Sequence, residues 1–462
     1  LGDARLTARL VDIARAKAEK PGLAFTGVAE GDWPAVKAFY RLIDHPDETA
    51  VSMAHILKPH RERTVQRMKA QRTVLCIQDG TDLDYSSLAQ CKGLGVIGTN
   101  QTNAQSRGLH LHTTLAVATN GLPLGVLHAQ CVAPEWKSPD DPRPSWSVPI
   151  EEKGTFRWIE GLRDTVDLAA QMPQTRLIHV CDREADFFEL FEEQRRQGRV
   201  ELIVRAHHNR GILEEPSKLF EAVRQSPLQR KVPVSVPCQS ARPKLSKKKA
   251  RPGRPSRQAN LEVRYQQVQL CPPKYHREKD SIDIWVIHAV EACPPAGTEA
   301  IEWFLLTTVA IVSGEDAVQC LRWYCLRWRI EDWHRVLKSG CGVERIAHET
   351  AERIRRAIAI NLVIAWRIML MTLLGRQTPE IPSGVLFSGL EIRVLDAYSK
   401  KRPETSVHLG RSGAPGGAPG RIPRTHQRSP AGASVDVARL LATPHDVPRL
   451  HPQRLGDGTL RR

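Results

Sequence analysis

Two short apolar runs, each closed by an aspartate, constrain this chain more than any other feature. "RTVLCIQDG" ends on Asp79 and Gly80, and "RLIHVCDREAD" brings a second run to its end at Asp182. Apolar stretches of this length, bounded by acids and turn residues, read as buried strands. Each aspartate is then displayed where its strand meets solvent at the sheet edge. Taken alone, either is a turn or capping residue. Two such acids in one sheet are more suggestive, because adjacent strands hold them a few ångströms apart, and oxygen ligands at that spacing suit Mg²⁺ or Mn²⁺.

The rest of the chain is organised around that sheet. With 462 residues there is room for two or three domains. Residues 1–70 read as helical. Leu6, Leu10, Ile13 and Ala14 recur at helical spacing before a Pro21-Gly22 stop. Asp32 and Pro34 open a second helix whose apolar face is Val36, Phe39, Tyr40 and Ile43, and a third covers about 49–69. "LHLHTTLAVAT" and "LPLGVLHAQCV" are strands joined by Asn120-Gly121, a hairpin turn. Helices over 152–171 and 185–197 then alternate with strands, so the class is α/β with a mixed sheet. Residues 208–300 carry short alternating strands and read as a β-rich insertion. "TAERIRRAIAINLVIAWRIMLMTLLG" reads as a core-packing helix, since Arg353, Arg355, Arg356 and Arg367 argue against a membrane span. "SGLEIRVLDAYSKK" is one more helix.

Charge narrows the partner. The net charge is +16, and a cation excess of this size points to a polyanion, with nucleic acid the default. The helical segment 1–70 then reads either as a DNA-binding domain or as a helical cap on the main domain. "RPKLSKKKARPGRPSR" holds eight cations, Lys247, Lys248 and Lys249 among them, and no acid, as expected of a loop laid along phosphates or of a solvated loop tip. The ten cysteines form no Cys-x-x-Cys pair and sit among apolar neighbours, which fits reduced, buried thiols in a cytoplasmic protein. Neither a signal peptide nor a spanning run is evident, and the absence of an initial Met suggests a missing N-terminus. Residues 402–462 lack Phe, Trp, Tyr and Lys but hold ten Arg, eight Pro and eight Gly. No domain-sized core can be built from them. GC-rich coding DNA read out of frame gives this bias, so a frameshift near Lys401 is expected, against a genuine disordered tail.

"LRWYCLRWRIEDWHRVLKSGCG", from Leu321 to Gly342, reads as one helix. At ~100° per residue Tyr324, Arg327, Glu331 and Lys338 share an arc of about 60°, and Leu326, Ile330, Trp333 and Leu337 form a buried stripe on another face. One edge thus presents an acid flanked by two cations and a phenol. A phosphodiester site uses such a set, with the acid on metal and the others on phosphate oxygens. The plainer reading is a surface Arg–Glu pair. His110 and His112 lack a third ligand and read as structural, and His207 and His208 fall on opposite faces of a strand.

Tyr324-x2-Arg327-x3-Glu331-x6-Lys338 resembles the Tyr-Arg-Glu-Lys motif of bacterial cut-and-paste transposases of the IS-four group. "VCDREAD", "SRGLHLH", "VRAHHNR" and "EWFLLTT" are similar too, over about residues 1–400. The resemblance implies an RNase H-like mixed-sheet catalytic core over 71–400 with the β-rich insertion, preceded by the helical DNA-binding domain. It implies a DDE triad of Asp79, Asp182 and Glu331, with two Mg²⁺ ions bridged by Asp79, and Mn²⁺ as a substitute. Tyr324, Arg327 and Lys338 would grip DNA phosphates, and Arg205 and Arg210 would be further DNA contacts. Trp303 falls where the family stacks a flipped base, or it is a core tryptophan. Partners would be terminal inverted repeats, target DNA and a second copy of the chain in a paired complex, with no membrane. Two other readings stand beside this one: a remnant that binds DNA without forming a productive dimer, and an RNase H-like nuclease without strand transfer.

Overall fold

The computed structural model describes residues 1–99, 105–134, 143–144, 146–236, 253 and 255–377. Lys247, Lys248 and Lys249, the helix expected near residue 390 and the Arg-rich tail lie outside them.

Four helices come first. α1 (Ala4–Glu19) is capped by the Asp3 carboxylate, which accepts from the Arg5 and Leu6 amides, and it stops ahead of Pro21-Gly22 as expected. α2 (Phe25–Val28) is a single turn whose Phe25 ring stacks 4.3 Å from Phe39. α3 (Trp33–Ile43) starts from Asp32, which caps the Ala35 amide, with Pro34 in the first turn. Its buried residues are Val36, Phe39, Leu42 and Ile43, whereas Tyr40 is 39% exposed. The expectation placed Tyr40 inside. On a helical wheel Leu42, not Tyr40, completes the buried arc, and Tyr40 sits on its rim.

α4 (Met53–Lys69), capped by Ser52, does not belong to a detached module. The His60 ring nitrogen accepts from the Val126 amide at 3.0 Å, Arg67 donates to the Leu124 carbonyl, and the Arg67 guanidinium lies 4.6 Å from the Trp366 ring. A boundary at residue 70 would cut through this packing.

The strands are β1 (Thr73–Asp84), β2 (Gly95–Thr99), β3 (Gln105–Ala118), β4 (Pro123–Val132), β5 (Arg176–Cys181), β6 (Glu201–Arg205), β7 (Arg230–Val236), β8 (Arg257–Leu270), β9 (Ile282–Glu291) and β10 (Glu302–Thr307). They form one sheet in the order β2-β3-β1-β5-β6-β10-β9-β8-β7, with β4 also on β3. β1, β5 and β6 are parallel and the other pairings antiparallel. The β3–β4 turn is Asn120-Gly121, where Gly121 takes φ +88 and the Asn120 side chain accepts from the Leu122 amide. Only glycine enters that backbone region without penalty.

The β-rich segment 208–300 is not a separate layer. β10 pairs with β6 on one side and β9 on the other, so β7 to β9 extend the same sheet. The apolar β10 would otherwise present a bare edge of unpaired amides and carbonyls.

Alternation along β1 sends Leu75 and Ile77 to one core and Val74 and Cys76 to the other. The second core is closed by α5 (Phe156–Ala169), α6 (Phe188–Gln197) and α7 (Leu219–Gln225). The first is closed by the N-terminal helices with α8 (Gly314–Cys325), α9 (Trp328–Arg335) and α10 (Ala351–Gln377). By length and composition α10 passes for a membrane span, but most of it is buried inside the molecule. Arg356 donates to the carbonyls of Ile43 and His45, and Trp366 to that of Pro123, so α10 is the core-packing helix expected. The nine described cysteines are free thiols.

Candidate active site

Asp79 does not end its strand. β1 continues to Asp84, and Asp79 sits mid-strand opposite Thr113 of β3. Asp182 is the first residue past β5, where its carboxylate accepts from the Glu184 amide at 2.8 Å. β1 and β5 are adjacent and parallel, with Ile77 beside Val180. Each aspartate lies two residues further on, so both leave the sheet on the face of Ile77 and Val180. That face carries α8 and α9.

The segment 321–342 is not one helix. α8 ends at Cys325, and a tight turn follows in which Leu326 and Arg327 donate to the carbonyls of Trp323 and Tyr324. α9 runs from Trp328 to Arg335 and passes into a wide π-type turn over Val336–Gly340. The wheel that put Tyr324, Arg327, Glu331 and Lys338 on one exposed edge therefore fails in part. Ile330, Trp333 and Leu337 are buried as expected, but Leu326 is only half-buried. Tyr324 is 3% and Arg327 8% exposed, because the break turns both inward.

Inside, Arg327 bridges two of the three acids. One guanidinium nitrogen lies 3.2 Å from Asp79 Oδ2 and another 2.5 Å from Glu331 Oε1. The Arg327 charge also acts on the Tyr324 hydroxyl, and among the described residues its buried Nε has no hydrogen-bond partner. Burial works against the charge of the Arg327 guanidinium, but Tyr324, Glu331 and Asp79 beside it hold it firmly charged. Asp79 moves the other way. Burial pushes its carboxyl up most; Arg327 opposes this, and the neighbouring Asp182 and Glu331 carboxylates raise it further, to about 7. Asp182, just past β5, and Glu331 of α9 thus both act on Asp79 of β1.

This is a set of hard oxygen donors with excess negative charge, which is what Mg²⁺ or Mn²⁺ requires. Among the described residues no three acidic, imidazole or thiol groups are gathered tightly enough to hold an ion as they stand. Arg327 lies between Asp79 and Glu331 instead.

The other expected contacts fall differently. Arg205, at the end of β6, makes no side-chain hydrogen bond or ion pair among the described residues, and its charge acts on the Tyr324 hydroxyl. Trp303 on β10 is half-buried, with its ring edge-on to Tyr324 at 5.8 Å. Lys338 straps the π-type turn to β1 through the Asp82 carbonyl and pairs with Glu344 at 3.4 Å. Arg210 is committed to the buried Asp186, with nitrogens 3.0 and 2.8 Å from one carboxylate oxygen, while the other oxygen takes the His207 and His208 amides. A DNA contact that drew Arg210 away would leave Asp186 buried and ionised without its counter-ion. His207 and His208 lie past the end of β6 with rings 4.7 Å apart, not on opposite strand faces. His110 pairs with Asp82, and His112 with Gln78, in structural roles.

Two residues escaped the sequence reading. Arg157, in the first turn of α5, faces the same acids: Glu184, Asp82, Asp182 and Asp79 all act on its charge. His334 of α9 meets Thr113 at 3.1 Å, and the Thr113 hydroxyl also approaches the Asp79 carbonyl at 3.4 Å. This contact ties the helix of Glu331 to the strand of Asp79. His334 sits at i+3 from Glu331, a spacing that could have marked it; nothing in the spacing marks Arg157.

Comparison with protein families agrees with this architecture. Residues 1–47 match the transposase DNA-binding family, and residues 159–367 match the transposase DDE domain. Asp182 and Glu331 fall within the second match and Asp79 ahead of it. An N-terminal helical region followed by a mixed α/β sheet is the RNase H-like fold of such domains.

Proposed function

We propose that this chain, a DNA transposase by its DNA-binding segment and DDE domain, is a cut-and-paste enzyme of the IS-four group, resembling the Tn-five transposase. It binds terminal inverted repeats, cleaves the DNA ends and joins them to target DNA. The observation that carries this reading is that Arg327 bridges Asp79 of β1 and Glu331 of α9, with Asp182, just past the adjacent β5, acting on Asp79.

Asp79, Asp182 and Glu331 would hold divalent cations, Mg²⁺ in the first instance. Bound there, the cations would supply activation of the attacking oxygen and neutralisation of charge on the leaving one. The chain supplies the rest. Tyr324 and Arg327 orient the phosphate, and Arg205, without an ion pair among the described residues, stands beside them. Lys338, strapped to the Asp82 carbonyl, fixes the far wall and reaches the backbone from there. Trp303 offers a half-exposed ring for an unstacked base. The Lys247, Lys248 and Lys249 loop contributes cations along the duplex. Two copies act in a paired complex, in the bacterial cytoplasm.

The test is to incubate the protein with labelled terminal-end DNA and Mg²⁺ or Mn²⁺. Paired-end cleavage with strand transfer is expected. Binding without cutting would favour a DNA-binding remnant, a reading motivated by the Arg-, Gly- and Pro-rich composition of 402–462. Nicking without joining would mark a plain nuclease.

A further inference from the structure

Every oxygen of the Asp79 carboxylate is already engaged. Oδ1 accepts from the Gly80 amide at 2.8 Å, and Oδ2 takes the Arg327 guanidinium at 3.2 Å. The same guanidinium holds Glu331 Oε1 at 2.5 Å. A divalent cation between Asp79 and Glu331 needs these oxygens. The Gly80 amide is fixed in β1 and cannot withdraw without distorting the strand. Arg327 can withdraw, because it sits in the turn between α8 and α9 at the end of a long side chain. Two positive groups a few ångströms apart in a buried site also repel strongly. Arg327 and the cation are therefore alternatives at this position.

Withdrawal is not free, since a buried guanidinium released from its carboxylates needs another anion. Its surroundings offer a ring, a phenol and the cation Arg205: Trp328 lies 5.3 Å away and Tyr324 adjoins it. Among the described residues the acid acting on these groups is Asp182, itself a member of the carboxylate cluster that the cation needs. A DNA phosphate fits, because a guanidinium binds phosphate through two parallel hydrogen bonds.

We propose that Arg327 is a resident counter-ion of the carboxylate cluster, and that it makes metal loading conditional on DNA. Without DNA it neutralises Asp79 and Glu331 and holds cations out. When a phosphate enters, Arg327 transfers to it and releases the carboxylates. Metal and DNA then bind with positive coupling, and each raises the affinity of the other by the same factor. A protein held this way does not carry a charged metal centre while free. This inference rests on the carboxylates being the metal site.

The test measures Mn²⁺ binding to the full chain by the electron paramagnetic resonance signal of free Mn²⁺. A short DNA duplex is present or absent, and the Mn²⁺ taken up by duplex alone is subtracted. The wild type is expected to bind Mn²⁺ at least about tenfold tighter with duplex, within the usual range of coupling. Arg327→Gln is expected to bind Mn²⁺ tightly without duplex and to lose most of the coupling. Should Arg327→Gln fold poorly, Arg327→Lys carries the test. It keeps the charge but replaces the planar fork, which reaches each carboxylate through a separate nitrogen, by a single ammonium, and its coupling should fall below that of wild type. Unchanged affinities and coupling in the folded variant would overturn the proposal. Asp79→Asn separates the two ideas: if it binds Mn²⁺ like wild type, the metal-site reading itself has failed.

Discussion

At the residue scale, burial decides protonation. His179 lies in the core with both ring nitrogens unpartnered, and burial depresses its imidazole to about 3. The sign follows from linkage. The unfolded chain takes up this proton near pH 6.5 and the folded chain only near 3, so its share of stability is whole above about 6.5 and lost progressively as pH falls toward 3. In that window one such group costs about 1.4 kcal/mol per pH unit. His179→Leu should flatten the acid limb by about that slope in denaturant melts from pH 7 to 4; an unchanged slope would show that His179 does not titrate in this way. Asp79 and Asp182 were legible in the sequence because apolar runs end on or beside them. The inward turn of Tyr324 and Arg327 was not, since a single helical wheel cannot contain the break at Leu326. The engagement of Arg210 was not legible either, because its partner, the buried Asp186, lies 24 residues away and only the fold joins them.

At the element scale, α9 must sit against β1 and β3 within tenths of an ångström if Glu331 is to meet Asp79. The contact between His334 and Thr113 is the bolt. Thr113→Val keeps the side-chain shape and removes the hydroxyl, which leaves a buried imidazole nitrogen unsatisfied. A loss of about 1–3 kcal/mol is expected in thermal or denaturant unfolding. Cleavage should fall further than DNA binding, because the phosphate-binding cations stay in place. Equal losses in both would assign Thr113 to general stability alone. The strands and most helices were legible because period-2 and period-3.6 patterns, caps and the Asn-Gly turn all agree locally. The extension of the sheet by β7 to β9 was not, because strand order is set by which edges need partners, and 208–300 carries the same alternating pattern in either arrangement.

At the scale of the whole molecule, the charge of +16 and the transposase DNA-binding match set the behaviour toward DNA. Affinity for duplex should fall steeply with salt, on the order of a thousandfold between 50 and 200 mM if about six phosphates are neutralised. A filter-binding or anisotropy titration reads this directly, and a flat response would remove the polyanion argument. The sheet then does for the active site what charge does for the partner. It sets Asp79 and Asp182, which are far apart in the chain, on adjacent strands and on the face where α9 presents Glu331.

The most direct measurement of that claim is end cleavage by the single variants Asp79→Ala, Asp182→Ala and Glu331→Ala, with DNA binding followed in parallel. Each should lose about a thousandfold or more in cleavage, equivalent to ~4 kcal/mol of transition-state stabilisation, while still binding terminal-end duplex. If any one of the three cuts at the wild-type rate, Asp79, Asp182 and Glu331 are not the catalytic triad of this chain.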